Sequence, residues 1–91
     1  MEFEWDDAKS HRNQEARGLP FDVAVALFDS ETLEDIDDRR DYGERRVRAI
    51  GVVRDECLVC VYVDREDVRR IISLRRANKR ERDDYREAFE A

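Results

Sequence analysis

Arginine supplies 16 of the 18 basic side chains of this 91-residue chain. A guanidinium is a planar, permanently charged fork that grips a phosphate through parallel hydrogen bonds, whereas lysine suffices for solubility. Codon usage in a GC-rich genome is the plain alternative. The arginines are clustered: residues 69–82 hold seven basic side chains (Arg69, Arg70, Arg75, Arg76, Lys79, Arg80, Arg82) and one carboxylate, Glu81. The whole chain carries a net charge of −6, which argues against a polyanionic partner. That mean conceals an asymmetry, since residues 1–42 hold 13 acidic and five basic side chains and residues 43–91 hold 11 and 13. A phosphate-binding segment is therefore compatible with an acidic chain. The other spacing with chemical potential is the C-x-x-C of Cys57 and Cys60. Its surroundings read as a strand, on which an odd separation sends the two thiols to opposite faces. With a single histidine, His11, and no second cysteine pair, a four-ligand zinc site is short of donors, so two reduced thiols and no metal are expected.

The elements that must position these groups follow from periodicity and punctuation. Phe3–Trp5 alternates as a short strand, and Asp6 suits the N-cap of a helix ending at Arg17 with Gly18 just beyond. Only Ala8 and Ala16 are apolar in that helix, so it is mostly solvated. Pro20 fits the first turn of a second helix, whose Phe21, Ala24 and Phe28 share a face. Thr32–Ile36 can form a strand before a polar loop over residues 37–43. From Arg46 the pattern alternates, with Val47, Ala49, Gly51 and Val53 on one face and Arg46, Arg48, Ile50 and Val52 on the other. After a turn at Asp55-Glu56, the apolar run Cys57–Val63 reads as a central strand covered on both sides. A turn over 64–67 leads to the strand Val68–Leu74. Strict alternation there puts Arg70, Ile72 and Leu74 on one face and Arg69, Ile71, Ser73 and Arg75 on the other. Asn78 and Glu81 have the spacing of a capping box opening a last helix with Tyr85, Ala88 and Phe89 on one stripe.

The order β-α-α-β-β-β-β-α with short links between successive strands predicts an α+β domain spanning residues 1–91, an antiparallel sheet with helices packed on it. No apolar run approaches the roughly 18 residues of a membrane span, and a cytoplasmic location is the default expectation.

The residues also resemble a family. Phe3-Glu4-Trp5-Asp6, Lys9, Asn13, Gly18, Phe21, Ala24 and Phe28-Asp29 are similar to the opening of BrnT toxins of type II toxin-antitoxin systems. Gly43-Glu44-Arg45-Arg46, Ile50-Gly51, Arg70-Ile71-Ile72-Ser73-Leu74-Arg75-Arg76-Ala77, Glu81-Arg82 and Tyr85 continue the likeness in order and spacing. The resemblance implies a RelE-like fold and a ribonuclease that arrests translation without metal or other cofactor. It further implies a BrnA-like antitoxin, through which alone the complex touches DNA. Such cleavage needs cations beside a pentavalent phosphate, a group to take the 2′-hydroxyl proton and one to protonate the leaving oxygen.

Arg46 and Arg70 match the family motifs and are the first candidates to clamp the phosphate, with Arg75 beside them; each could instead be a solvated or ion-paired arginine. Glu44 is a candidate base if burial raises its proton affinity, or an arginine orienter if it stays exposed. Tyr85 could donate a proton, stack on a base, or fill the stripe of the last helix. Arg17, Arg48, Arg76, Lys79 and Arg82 are candidate RNA contacts. Where the family pattern reads Lys-His-Gly this chain has Ala16-Arg17-Gly18, and an arginine there can hold phosphate but cannot shuttle protons near neutrality. His11 reads as a surface residue and Trp5 as an anchor for the first helix. Two functional readings remain at this stage, an active endoribonuclease toxin and a catalytically weak homologue that chiefly binds its antitoxin in a DNA-binding repressor. The acidic stretch 29–41 is a conceivable dock for a basic partner segment.

Overall fold

A computed structural model describes residues 1–90. The elements are β1 (Glu2–Glu4), α1 (Asp7–Arg17), α2 (Val23–Leu27), β2 (Leu33–Ile36), β3 (Val47–Val53), β4 (Glu56–Arg65), β5 (Val68–Arg76) and α3 (Lys79–Phe89). Their order is the one read from the pattern. The five strands form a single open sheet ordered β1-β5-β4-β3-β2. Three pairings are antiparallel, but β1 runs parallel to β5, so the sheet is mixed. The expected all-antiparallel sheet is corrected here. Two helices separate β1 from β2, and that crossover lets the first strand join the far edge beside the last one.

The β3–β4 turn lies one residue earlier than the sequence suggested, and the β4–β5 turn is tighter. The β3–β4 turn is the pair Arg54-Asp55, both at positive φ as a two-residue hairpin turn requires, and Glu56 already belongs to β4. The β4–β5 turn narrows to Glu66-Asp67, and β5 continues to Arg76. α2 is also shorter than expected. Pro20 and Phe21 precede it in a turn whose carbonyls accept from Val23 and Ala24.

Two apolar layers sandwich the sheet. On one face Ala24 and Leu27 of α2 pack with Ala49, Leu58, Cys60, Tyr62, Ile71 and Leu74, and Phe21 and Trp5 close the layer. On the other, Tyr85 of α3 packs with Ile50, Val59, Ala77 and Leu33. The alternation read along β3 therefore holds. Gly51 faces α2, where a Cβ would stand 2.9 Å from the Leu27 side chain, so the bare backbone is what lets that helix approach the sheet.

Along β5 strict alternation fails. Val61 of β4 faces Ser73 and Tyr62 faces Ile71, so Ile72 is an extra residue with no partner, a β-bulge. The bulge reverses the phase of the strand. Ile71 and Leu74 both enter the α2-side core, and Arg70, Ser73 and Arg75 all face the α3 side opposite Val63, Val61 and Val59. The sequence had placed Arg70 and Arg75 on opposite faces; the bulge puts them on the same one.

α1 buries no residue and is held by hydrogen bonds. Asp6 caps its first turn by accepting from the Lys9 amide, and Gly18 ends it at φ 69°. Asn13 Nδ2 donates to the carbonyls of Leu19 (2.6 Å) and Leu74 (2.9 Å), tying the helix to β5 beyond the reach of the three-residue β1. α3 begins with the complete capping box of Asn78 and Glu81.

Candidate functional site

The β5 bulge, α1 and the loop between β2 and β3 enclose a cleft of about 480 Å³. α1 contributes Lys9, Arg12, Asn13, Ala16 and Arg17, which recur at the i, i+3, i+4, i+7, i+8 spacing of one helix face. The loop contributes Asp37, Arg39, Arg40, Tyr42 and Arg46, and the sheet supplies Val61, Ile72 and Ser73 as a floor. Six cationic side chains thus surround one carboxylate. A second hollow of about 250 Å³ shares Asp37, Arg39, Val61 and Ser73 and extends the groove toward Arg48 and Arg75.

Buried Asp37 organises the loop. Its carboxylate accepts from Arg39 Nε at 2.8 Å and Nη2 at 2.9 Å, and its amide donates to the Arg46 carbonyl. The Arg39 guanidinium, with Arg46 further off, holds the Asp37 carboxyl below its ordinary range, so it stays an anion near neutrality. Tyr42 stacks under Arg46, whose guanidinium carbon lies 3.8 Å from the ring centroid, and Arg40 stands 5.5 Å from the same ring. The Arg46 Nε is buried without a hydrogen-bond partner, consistent with a guanidinium fixed by stacking. Among the described residues Lys9, Arg12, Arg17, Arg40 and Arg46 form no ion pair.

The basic segment 69–82 is in a different state. Arg69 is paired to Asp64 and sandwiched between Phe28 and Tyr62 on the α2 side. Arg70 pairs with Glu4 at 2.8 Å, and Arg76 pairs with Glu56 on the α2 side while donating to the Arg17 carbonyl. Lys79 pairs with Asp83, and Arg82 donates to the Ala77 carbonyl. Arg75 forms a fork on Glu81, with two contacts of 2.8 Å, and Arg48 bridges Glu81 and Asp35. The Arg75 guanidinium first, with the Asn78 amide and Arg48, holds the Glu81 carboxyl down to about 2. Of the seven cations that first drew attention, Arg80 alone has no partner among the described residues.

Glu44 is bound by Arg65 at 2.8 Å, and that guanidinium lowers its proton affinity, which weakens it as a base and fits an ionic orienter. Tyr85 is buried and its hydroxyl donates to the Glu31 carbonyl at 2.9 Å, so its place is in the α3 core. His11 lies exposed beside Glu15 at 2.8 Å. Cys60 and Cys57 fall on opposite faces, and burial pushes the Cys60 thiol up to about 12. Among the described residues no three His, Cys, Asp or Glu side chains cluster as a metal site. Of the sequence candidates, then, Arg46 and Arg17 reach the cleft, Arg75 and Arg48 line its extension in ionic locks, and Arg70, Arg76, Lys79, Arg82, Glu44 and Tyr85 line neither hollow. The residues missed are Lys9, Arg12, Arg39, Arg40 and Tyr42. The helical spacing of Lys9, Arg12 and Arg17 was the available signal.

A concave surface with five unpaired cations around a stacked tyrosine suits a phosphate-bearing strand with unpaired bases. Over residues 5–81 the sequence matches the family described as "Ribonuclease toxin, BrnT, of type II toxin-antitoxin system". The chain belongs to the BrnT family. A ribonuclease toxin of a type II toxin-antitoxin system acts on RNA and has an antitoxin as its partner. No curated protein matches the chain significantly. Among the described residues no helix is long and apolar enough to cross a membrane.

Proposed function

We propose that the chain is a single-domain, cytoplasmic, metal-independent endoribonuclease toxin that inhibits translation and whose substrate backbone lies in the α1–loop cleft, with Arg46 as the principal catalytic residue. The observation that supports this is the set of unpaired cations converging there while the motif residues Arg70, Arg75 and Arg76 are neutralised by ion pairs. In the reaction the ribose 2′-oxygen bonds to the adjacent phosphorus and the bond to the 5′-oxygen breaks, leaving a 2′,3′-cyclic phosphate and a 5′-hydroxyl. The 2′-hydroxyl proton passes to solvent base, and the leaving oxygen takes one from water. Arg46, held rigid by Tyr42, stabilises the extra negative charge on the phosphorane, and Arg12, Arg17 and Arg40 bind flanking phosphates. Arg17 thus gives the site grip where the family pattern has a histidine. The partner is a BrnA-like antitoxin, and the complex meets DNA through it.

One observation favours the second reading, a catalytically weak toxin that mainly holds its antitoxin. The cleft lining contains no histidine, and its one carboxylate is a poor base. Purified protein incubated with single-stranded RNA and EDTA separates the two. The expected result is cleavage to cyclic-phosphate ends that chelator leaves unchanged. Intact RNA alongside retained antitoxin binding would favour the weak homologue.

A further inference from the structure

We propose that β2 is the docking edge for an extended, lysine- or arginine-rich segment of the antitoxin, which adds to the sheet as a sixth strand. The inference rests on family membership, and it is independent of whether the cleft cuts RNA.

The sheet ends at β2. The Asp37 amide donates to the Arg46 carbonyl, and the pairings of Asp35 with Arg48 and Leu33 with Ile50 continue that register. Leu33 and Asp35 therefore direct their main-chain groups toward β3, and Glu34 and Ile36 direct theirs outward. Those outward donors and acceptors have no partner among the described residues, and the side chains of Glu34, Asp35 and Ile36 are exposed. The opposite edge is protected: β1 covers the start of β5 and Asn13 bonds its Leu74 carbonyl. Ile36 is one of the few large apolar side chains left in solvent. The edge has no proline, lysine or bulge to block pairing, which are usual protections.

Charge selects the occupant. Residues 29–41 hold seven carboxylates against two arginines. A second copy of this chain would set Glu34 and Asp35 against the same residues, and RNA would meet like charge. A basic extended peptide meets neither obstacle, pairing its main chain with Glu34 and Ile36 and its cations with Asp29, Glu31 and Asp38. β2 runs directly into the Asp37–Tyr42 wall of the cleft, so the docked segment would stand beside it.

Amide hydrogen exchange on the co-purified toxin–antitoxin complex, compared with the free toxin, tests this residue by residue. The Glu34 and Ile36 amides should exchange freely in the toxin alone and become protected in the complex, with Leu33 and Asp35 protected in both. Ile36→Pro removes one outward donor without touching the β3 ladder, and should weaken antitoxin binding about tenfold, the worth of one hydrogen bond. The double reversal Asp29→Lys with Glu31→Lys, at exposed positions that line neither hollow, should weaken it further as salt is lowered, leaving RNA cleavage by free toxin unchanged. Unprotected Glu34 and Ile36 amides in the complex, or full affinity in both variants, would overturn the proposal.

Discussion

Arg46→Ala is expected to lower RNA cleavage by about 10²–10³-fold, the usual consequence of removing a preorganised donor to a transition-state oxyanion. The stability of the protein should change little. The Arg46 side chain makes no ion pair, and its main contact is the stack on Tyr42. Arg46→Lys keeps the charge but loses the planar fork and should recover only part of the rate. Arg70→Ala removes an exposed pair with Glu4 and should alter cleavage far less, although the family motif contains both arginines. Initial rates with a fluorogenic oligoribonucleotide, beside thermal unfolding of each variant, measure these effects. Equal losses at Arg46 and Arg70 would mean that the clamp lies on β5 instead.

Glu81→Ala should be the most damaging substitution for stability. The buried Glu81 carboxylate closes the capping box, forks onto Arg75 and reaches Arg48, and thereby fixes the start of α3 to β3 and β5. Removing it leaves two partly buried guanidiniums without their shared partner and costs about 3 kcal/mol, at the low end for a buried pair because both arginines keep some solvent. Glu81→Gln preserves the cap and isolates the charge. With the folded-state carboxyl held at about 2, below the ordinary glutamate value of 4.5, its contribution is complete above about pH 4.5 and is lost as the pH falls toward 2. Unfolding free energies of wild type and Glu81→Gln should therefore differ most near neutrality and converge on acidification. A pH-independent difference between them would contradict this assignment.

Much of the frame was legible in the chain because local signals agreed with one another. Asp6, Gly18 and the Asn78–Glu81 box mark helix ends by satisfying free main-chain groups, and β3 alternates cleanly because each of its faces meets a separate apolar layer. The bulge at Ile72 was not legible. It depends on which residue of β4 each β5 residue meets, and no local preference records that. The parallel seat of β1 was hidden for the same reason.

The site was half legible. Counting charge identified residues 69–82 as cationic, but the carboxylates that neutralise them come from β1, β4 and α3, at separations of up to 66 residues. Four of the five cations left free in the cleft, Lys9, Arg12, Arg17 and Arg40, lie in the acidic half of the chain, where the net count drew attention away from them. Lys9, Arg12 and Arg17 are free because α1 is tied down by Asn13 and Ser10 rather than by its charged face. Tyr42 was missed because a polar loop gives no sign of which arginine will stack on its tyrosine.

Where RNA lies on the protein is read directly by arginine side-chain NMR. The Nε–H signals should be followed while labelled protein is titrated with a 2′-O-methyl oligoribonucleotide, which binds but lacks the attacking hydroxyl. Saturable shifts are expected at Arg12, Arg17, Arg40 and Arg46, with Arg69, Arg70 and Arg75 unmoved in their ion pairs. Shifts confined to Arg70, Arg75, Arg76 and Arg82, with Arg46 silent, would contradict the placement of RNA in the cleft.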